Sequence, residues 1–132
     1  MKRNILLCLL SVALLTAGWL GITGLTLLVA LVPLLIISEN LSDSRRDWWR
    51  MCGYAAATFL VWNALTIWWV WIAAPIGPIT AGIVGTFYNL VAFMTYHFTV
   101  KRAHRALAYT LLITLWIATE WAYNSADVMT FP

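Results

Sequence analysis

The chain has 132 residues, 63% of them hydrophobic and only 10% charged. Soluble domains carry roughly 25% charged residues, and a core of this length cannot hide so much apolar surface. A soluble fold is therefore excluded, and the expected class is an all-α, polytopic transmembrane helix bundle.

The net charge of +3 does not point to nucleic acid. The bases fall in three short clusters: Lys2-Arg3, Arg45-Arg46 with Arg50, and Lys101-Arg102 with Arg105. Each abuts an apolar run, as topology signals do. The nine Trp and five Tyr suit the two membrane interfaces.

Lys2-Arg3 followed by Ile5 to Leu15 has the outline of a signal peptide. The apolar run does not end there, since no charge appears from Asn4 to Ser38. A lipoprotein signal would need a Cys after the small residues, and position 19 is Trp. Retained membrane segments are the better reading. As one helix, Ile5 to Ile37 would be about 50 Å long, against a hydrocarbon core of about 30 Å. Gly18, Gly21 and Gly24 flank Trp19 and supply turn chemistry. Two spans are expected, over 5–19 and 23–37, with Pro33 tolerated inside the second.

Ser38 to Asp47 is hydrophilic, and Ser42 or Asp43 is a candidate cap for the next helix. A third span is expected over 48–72, with Trp48-Trp49 at one end and Trp68, Trp69 and Trp71 at the other. Ala74-Pro-Ile-Gly-Pro78 reads as a tight turn. A fourth span covers 79–100, with Ala81 and Gly85 as a small-xxx-small pair. The short basic loop Lys101 to Arg105 leads into a fifth span over 106–123. With about five membrane helices and a cytoplasmic N-terminus, all three basic clusters fall inside. One long first span would put two of them outside.

Asn63, Asn89 and Glu120 lie at membrane depth, each roughly 17–21 Å from the cytoplasmic ends. They are expected to form one polar layer in the outer half. Asn63 and Asn89 are expected to pair across the hairpin of the third and fourth spans. Glu120 opens a stripe with Tyr123, Asn124 and Asp127, spaced i, i+3, i+4 and i+7 on one helix face. An ionisable residue in an apolar span costs about 2.5–3.5 kcal/mol on insertion scales. Glu120 should therefore face the bundle with Tyr123, towards the two Asn and screened by Trp116. The plainer reading of the layer is interhelical hydrogen bonding. The functional one is a lipid-access face formed by Glu120, Tyr123, Asn63 and Asn89.

No catalytic, cofactor-binding or metal-ligating set is expected in this chain. Cys8 and Cys52 form no CxxC or metal spacing and have no base nearby in sequence. His97 and His104 lack metal-ligand company. No GxSxG, P-loop or HExxH motif is present.

Three stretches carry a family resemblance. Trp116-Ile-Ala-Thr-Glu-Trp121, followed by Thr130-Phe-Pro132, resembles the W-x-x-T-E-[WF]-L-R…G-F-P-W segment of apolipoprotein N-acyltransferases. Trp62 to Pro78 resembles that family's Gly-, Trp- and Val-rich segment before its first external loop, and Leu28 to Leu35 is similar to its second helix. Tyr123 stands where the family has Arg, and Thr130 where it has Gly.

The resemblance implies a multi-pass protein of the bacterial inner membrane. It implies transfer of an acyl chain from a membrane phospholipid to the N-terminal Cys of a diacylated lipoprotein. The family's nitrilase-like domain, with its Glu-Lys-Cys set, has no counterpart here. Glu120 matches the membrane Glu of the family, not its catalytic one. The expectation is an N-terminal membrane fragment, inactive alone. The alternative is a complete small multi-span protein that transports or flips a lipid carrier, or serves as an accessory subunit.

Overall fold

The computed structural model describes residues 2–72 and 76–125, apart from the side chains of Tyr123 and Asn124. Among them every regular element is helical: α1 (Lys2–Trp19), α2 (Leu25–Val29), α3 (Val32–Asn40), α4 (Arg45–Ile67), a 3-10 turn over Trp68–Ile72, α5 (Gly77–Arg102) and α6 (Arg105–Ser125). Three stretches are long and apolar enough to cross a membrane: Lys2–Trp19, Arg45–Ile72 and Gly77–Arg102.

The first apolar run folds back on itself, as its glycines led us to expect. Gly21 has φ 75°, a left-handed conformation that costs other residues about 1–2 kcal/mol. Ile22 N–H donates to Ala17 O at 3.1 Å, and Gly21 N–H to Gly18 O at 3.3 Å. These two bonds make a Schellman motif, which satisfies the last carbonyls of α1 and turns the chain. A Cβ on Gly18 would overlap the Leu27 side chain. The missing side chain lets the return limb pack directly on α1.

That return limb is not the continuous helix expected over 23–37. It breaks around Ala30 and Leu31 into α2 and α3. Pro33 lies in the first turn of α3, where a missing N–H leaves no helical bond unmade. It therefore starts a helix; it does not interrupt one.

The cap of α4 also differs from expectation. Ser44, not Ser42 or Asp43, is the N-cap and accepts from Asp47 N–H at 3.2 Å. Asp47 reaches back to accept from the Ser42 hydroxyl at 2.6 Å. Asp47 thereby ties the N-cap to Ser42 in the preceding loop. The turn expected over Ala74–Pro78 lies partly outside the described residues.

Side-chain contacts fix the directions of the helices. Cys8 Sγ is 4.0 Å from Tyr54 O, and the Trp19 and Trp62 rings meet edge-on at 6.2 Å. Helix α1 therefore runs parallel to α4. Helices α5 and α6 are antiparallel: Tyr96 meets Tyr109 at 5.4 Å near their junction. Trp116, two turns further along α6, reaches Phe59 at 5.8 Å. The core between them holds Leu34, Ile37, Met51, Phe59, Phe93, Tyr96 and Leu112, all buried.

The loops at one end are tied together. Arg102 pairs with Asp43 at 3.1 Å and Arg105 with Glu39 at 3.8 Å. Lys101 Nζ donates to Glu39 O at 3.1 Å. Because α1 is parallel to α4, Lys2 and Arg3 belong to this same end. All three basic clusters therefore lie at one pole of the bundle.

Candidate functional site

The opposite half of the bundle contains the polar residues singled out in the sequence. Asn63 on α4, Asn89 on α5 and Glu120 on α6 all line one cavity of about 190 Å³. Trp19, Trp62, Tyr88 and Thr119 complete most of its wall. Helix direction explains the meeting: α4 rises to Asn63 while α6 rises in parallel to Glu120, and Asn89 lies at matching height on the descending α5.

The hydrogen bonds within the layer are not those expected. Asn63 Nδ2 donates to Phe59 O at 2.9 Å and to Thr86 Oγ1 at 3.3 Å. Thr86 precedes Asn89 by nearly one turn, so the direct Asn63–Asn89 bond is not made. Gly85 explains the offset. A Cβ there would sit 3.2 Å from Asn63 Oδ1, so the bare glycine leaves room for the amide beside Thr86. Asn89 is buried and has no side-chain partner among the described residues.

Glu120 stands at the rim of the cavity and is exposed at the bundle surface. Its carboxylate takes its hydrogen bond from its own helix: Trp116 Nε1 donates to Glu120 Oε1 at 2.8 Å. The residue assigned in the sequence as an apolar screen is thus also a donor. The expected partners Asn63 and Asn89 share the cavity with Glu120 but do not bond to it. The Tyr123 and Asn124 side chains, Asp127 and the Thr130-Phe-Pro132 segment lie outside the described residues.

A second cavity of about 350 Å³ adjoins the first and shares Trp19, Trp62 and Glu120 with it. Leu15, Leu27, Leu31, Leu112 and Ile113 make most of the remaining wall, which is apolar. The Trp62 indole N–H is buried without a partner among the described residues. Spacing along one segment gives no sign of this adjunct, because Trp19 and Trp62 come from different helices, α1 and α4. Their edge-on contact across α1 and α4 depends on the Gly21 turn.

At the basic pole the structure shows a pair that spacing could not reveal. Ser38 Oγ and His97 Nδ1 are 2.7 Å apart, both buried. The contact joins α3 to α5 through His97. Among the described residues no group of three or more His, Cys, Asp or Glu could hold a metal ion. Cys8 and Cys52 are half-buried free thiols.

Over 103 residues, or 75% of the chain, the sequence is 29% identical to an apolipoprotein N-acyltransferase of Chlorobaculum tepidum. The match covers 18% of that protein's length. No family model and no solved structure matches the chain. The similarity and the apolar helices together support a membrane protein with a weak likeness to a lipoprotein-modifying acyltransferase.

Proposed function

We propose that this chain forms the N-terminal membrane portion of an apolipoprotein N-acyltransferase. In such an enzyme an acyl chain passes from a membrane phospholipid to the N-terminal Cys of a diacylated lipoprotein. The observation that carries the reading is the likeness to the Chlorobaculum tepidum enzyme along three quarters of the chain. The role assigned to these residues is to hold the lipid-access face, with Glu120, Asn63 and Asn89 along it and Tyr123 on the same helix.

The reading includes a multi-pass topology in the bacterial inner membrane, with five crossings and a cytoplasmic N-terminus. Its support is the gathering of all three basic clusters at one pole, which the positive-inside rule assigns to the cytoplasm. Helix α6 supports it too, since its 21 residues reach about 31 Å.

Acyl transfer through a thioester needs an activated Cys beside a base, and among the described residues Cys8 and Cys52 hydrogen-bond to none. The test is a chimera in which these 132 residues replace the matching membrane part of an active apolipoprotein N-acyltransferase. The expected result is N-acylated lipoprotein, detected by mass at the N-terminal Cys, from the chimera but not from the 132-residue chain alone. A chimera that inserts at normal levels yet transfers no acyl group would overturn the reading.

A further inference from the structure

We propose that a notch between α4 and α5 at the basic pole holds the phosphate of an anionic phospholipid as a resident ligand, gripped by Arg45 and Arg102. The notch lies at the end of the bundle opposite the Glu120 cavity. The inference goes beyond the acyltransferase reading and does not rest on it. It uses only the charge balance of this pole, the notch and the membrane setting.

The first observation is a surplus of positive charge. All eight Lys and Arg gather at this pole, against three acids there, Glu39, Asp43 and Asp47. Each acid already has an arginine: Arg105 on Glu39, Arg102 on Asp43 and Arg50 on Asp47. Lys101 is spent on the Glu39 carbonyl. Arg45 and Arg46 are exposed in the first turn of α4 and make no ion pair among the described residues. The chain therefore leaves these charges to be met from outside.

The second observation is a set of unspent donors around one space. A notch of about 260 Å³ opens between Asp43, Ser44, Arg45, Trp48, Phe98 and Arg102. The Arg102 guanidinium lies over the Phe98 ring, 4.0 Å from its centroid, and is held there by the bond from Nη2 to Asp43 at 3.1 Å. A guanidinium is a fork of N–H donors, so the rest of Arg102 stays free. The Ser44 hydroxyl accepts from Asp47 N–H and from Ser42 Oγ, and its own proton has no acceptor among the described residues. Two guanidinium groups and a hydroxyl suit the acceptor oxygens of a phosphodiester, which arginine binds in bidentate fashion. Asp43, the acid on this wall, is already neutralised by Arg102.

The third observation selects a lipid over a free anion. Trp48 and Trp49, edge-on at 4.8 Å, are the aromatic pair expected at headgroup level. From Phe98 towards the middle of the bundle, the exposed side of α5 stays apolar through Val91 and Phe87. They stand seven and eleven residues before Phe98, on one helix face. An acyl chain leaving the notch has this stripe to follow. Basic pockets between membrane helices suit anionic head groups for the same reason, charge above and hydrocarbon below.

The test uses the purified chain in a neutral maltoside detergent at constant pH and ionic strength. Dioleoylphosphatidylglycerol, dioleoylphosphatidylcholine and inorganic phosphate are titrated in turn, and the thermal midpoint is read. Phosphatidylglycerol should raise the midpoint saturably. The zwitterionic lipid, with the same tails, and inorganic phosphate should give small shifts at best. Arg45→Gln should weaken phosphatidylglycerol about fivefold, the worth of one base beside an anionic headgroup. Arg46→Gln removes the same charge one residue away, outside the notch, and should change the affinity by less than about twofold. Asp43→Asn frees Arg102 and should strengthen phosphatidylglycerol several-fold, a gain that damaged folding cannot imitate. Equal shifts with phosphatidylcholine would overturn the proposal, as would inorganic phosphate reproducing the effect. Equal losses in Arg45→Gln and Arg46→Gln would reduce the site to diffuse surface charge and overturn it too, as would unaltered affinity in Asp43→Asn.

Discussion

Ser38 Oγ and His97 Nδ1 lie 2.7 Å apart in the buried interior, although 59 positions separate them in the chain. The bond fastens the returning limb of the first hairpin to α5. Removing one partner of a buried bond leaves the other unsatisfied, at a cost of about 1–3 kcal/mol. Ser38→Ala and His97→Leu should each destabilise the bundle by about that much. The double variant should cost less than the sum, because the two residues share one interaction. Unfolding midpoints in detergent check this, and additive losses would mean the bond is not the source.

Gly21 and Gly18 serve the same turn by different means. Gly21→Ala places a Cβ at φ 75° and should cost about 1–2 kcal/mol. Gly18→Leu drives a side chain into Leu27, an overpacking worth about 1–3 kcal/mol. Thermal midpoints of both variants in detergent report the effects. A neutral Gly18→Leu would show that α2 does not rest on α1.

The topology can be read chemically. After both native cysteines are replaced, Gly77→Cys should react with an impermeant thiol reagent on intact cells. Ser44→Cys should react only after permeabilisation. Labelling of Ser44→Cys from outside would reverse the orientation of the bundle.

Asn63 couples α4 to α5 through Thr86. Asn63→Leu should therefore lower stability by about 0.6 kcal/mol, and by no more than about 1.7 kcal/mol, the range of interhelical polar contacts in membranes. Thr86→Val should match it within a few tenths of a kcal/mol. A large loss from Asn63→Leu alone would assign the cost to the Phe59 carbonyl bond, and not to the interhelical one.

In the proposed function Glu120 lines the lipid-access face and takes no part in the chemistry. In a full-length acyltransferase carrying this membrane portion, Glu120→Gln should leave folding intact and reduce turnover only modestly. The measurement is the N-acylation rate at matched protein levels. Complete loss of turnover with normal expression would place the carboxylate in the reaction itself.

Composition alone pointed to a membrane chain, because so few charges cannot solvate a soluble surface. The glycine spacing after Leu15 and the basic clusters also contained the hairpin and the common pole. Both follow from local conformational freedom and from simple length against bilayer thickness. The common level of Asn63, Asn89 and Glu120 in the bundle was legible too, since helical rise converts position into height. What sequence could not determine was which neighbour each side chain chose. The Asn63 amide turned to Thr86 because Gly85 left space there, and Glu120 bonded Trp116 within its own helix. Pro33 began a helix because the break at Ala30 and Leu31 came just before it. Ser38 meets His97 only through the packing of α3 on α5. Height along a helix is a property of one segment, whereas partner choice depends on rotation and packing between segments, which only the tertiary structure decides.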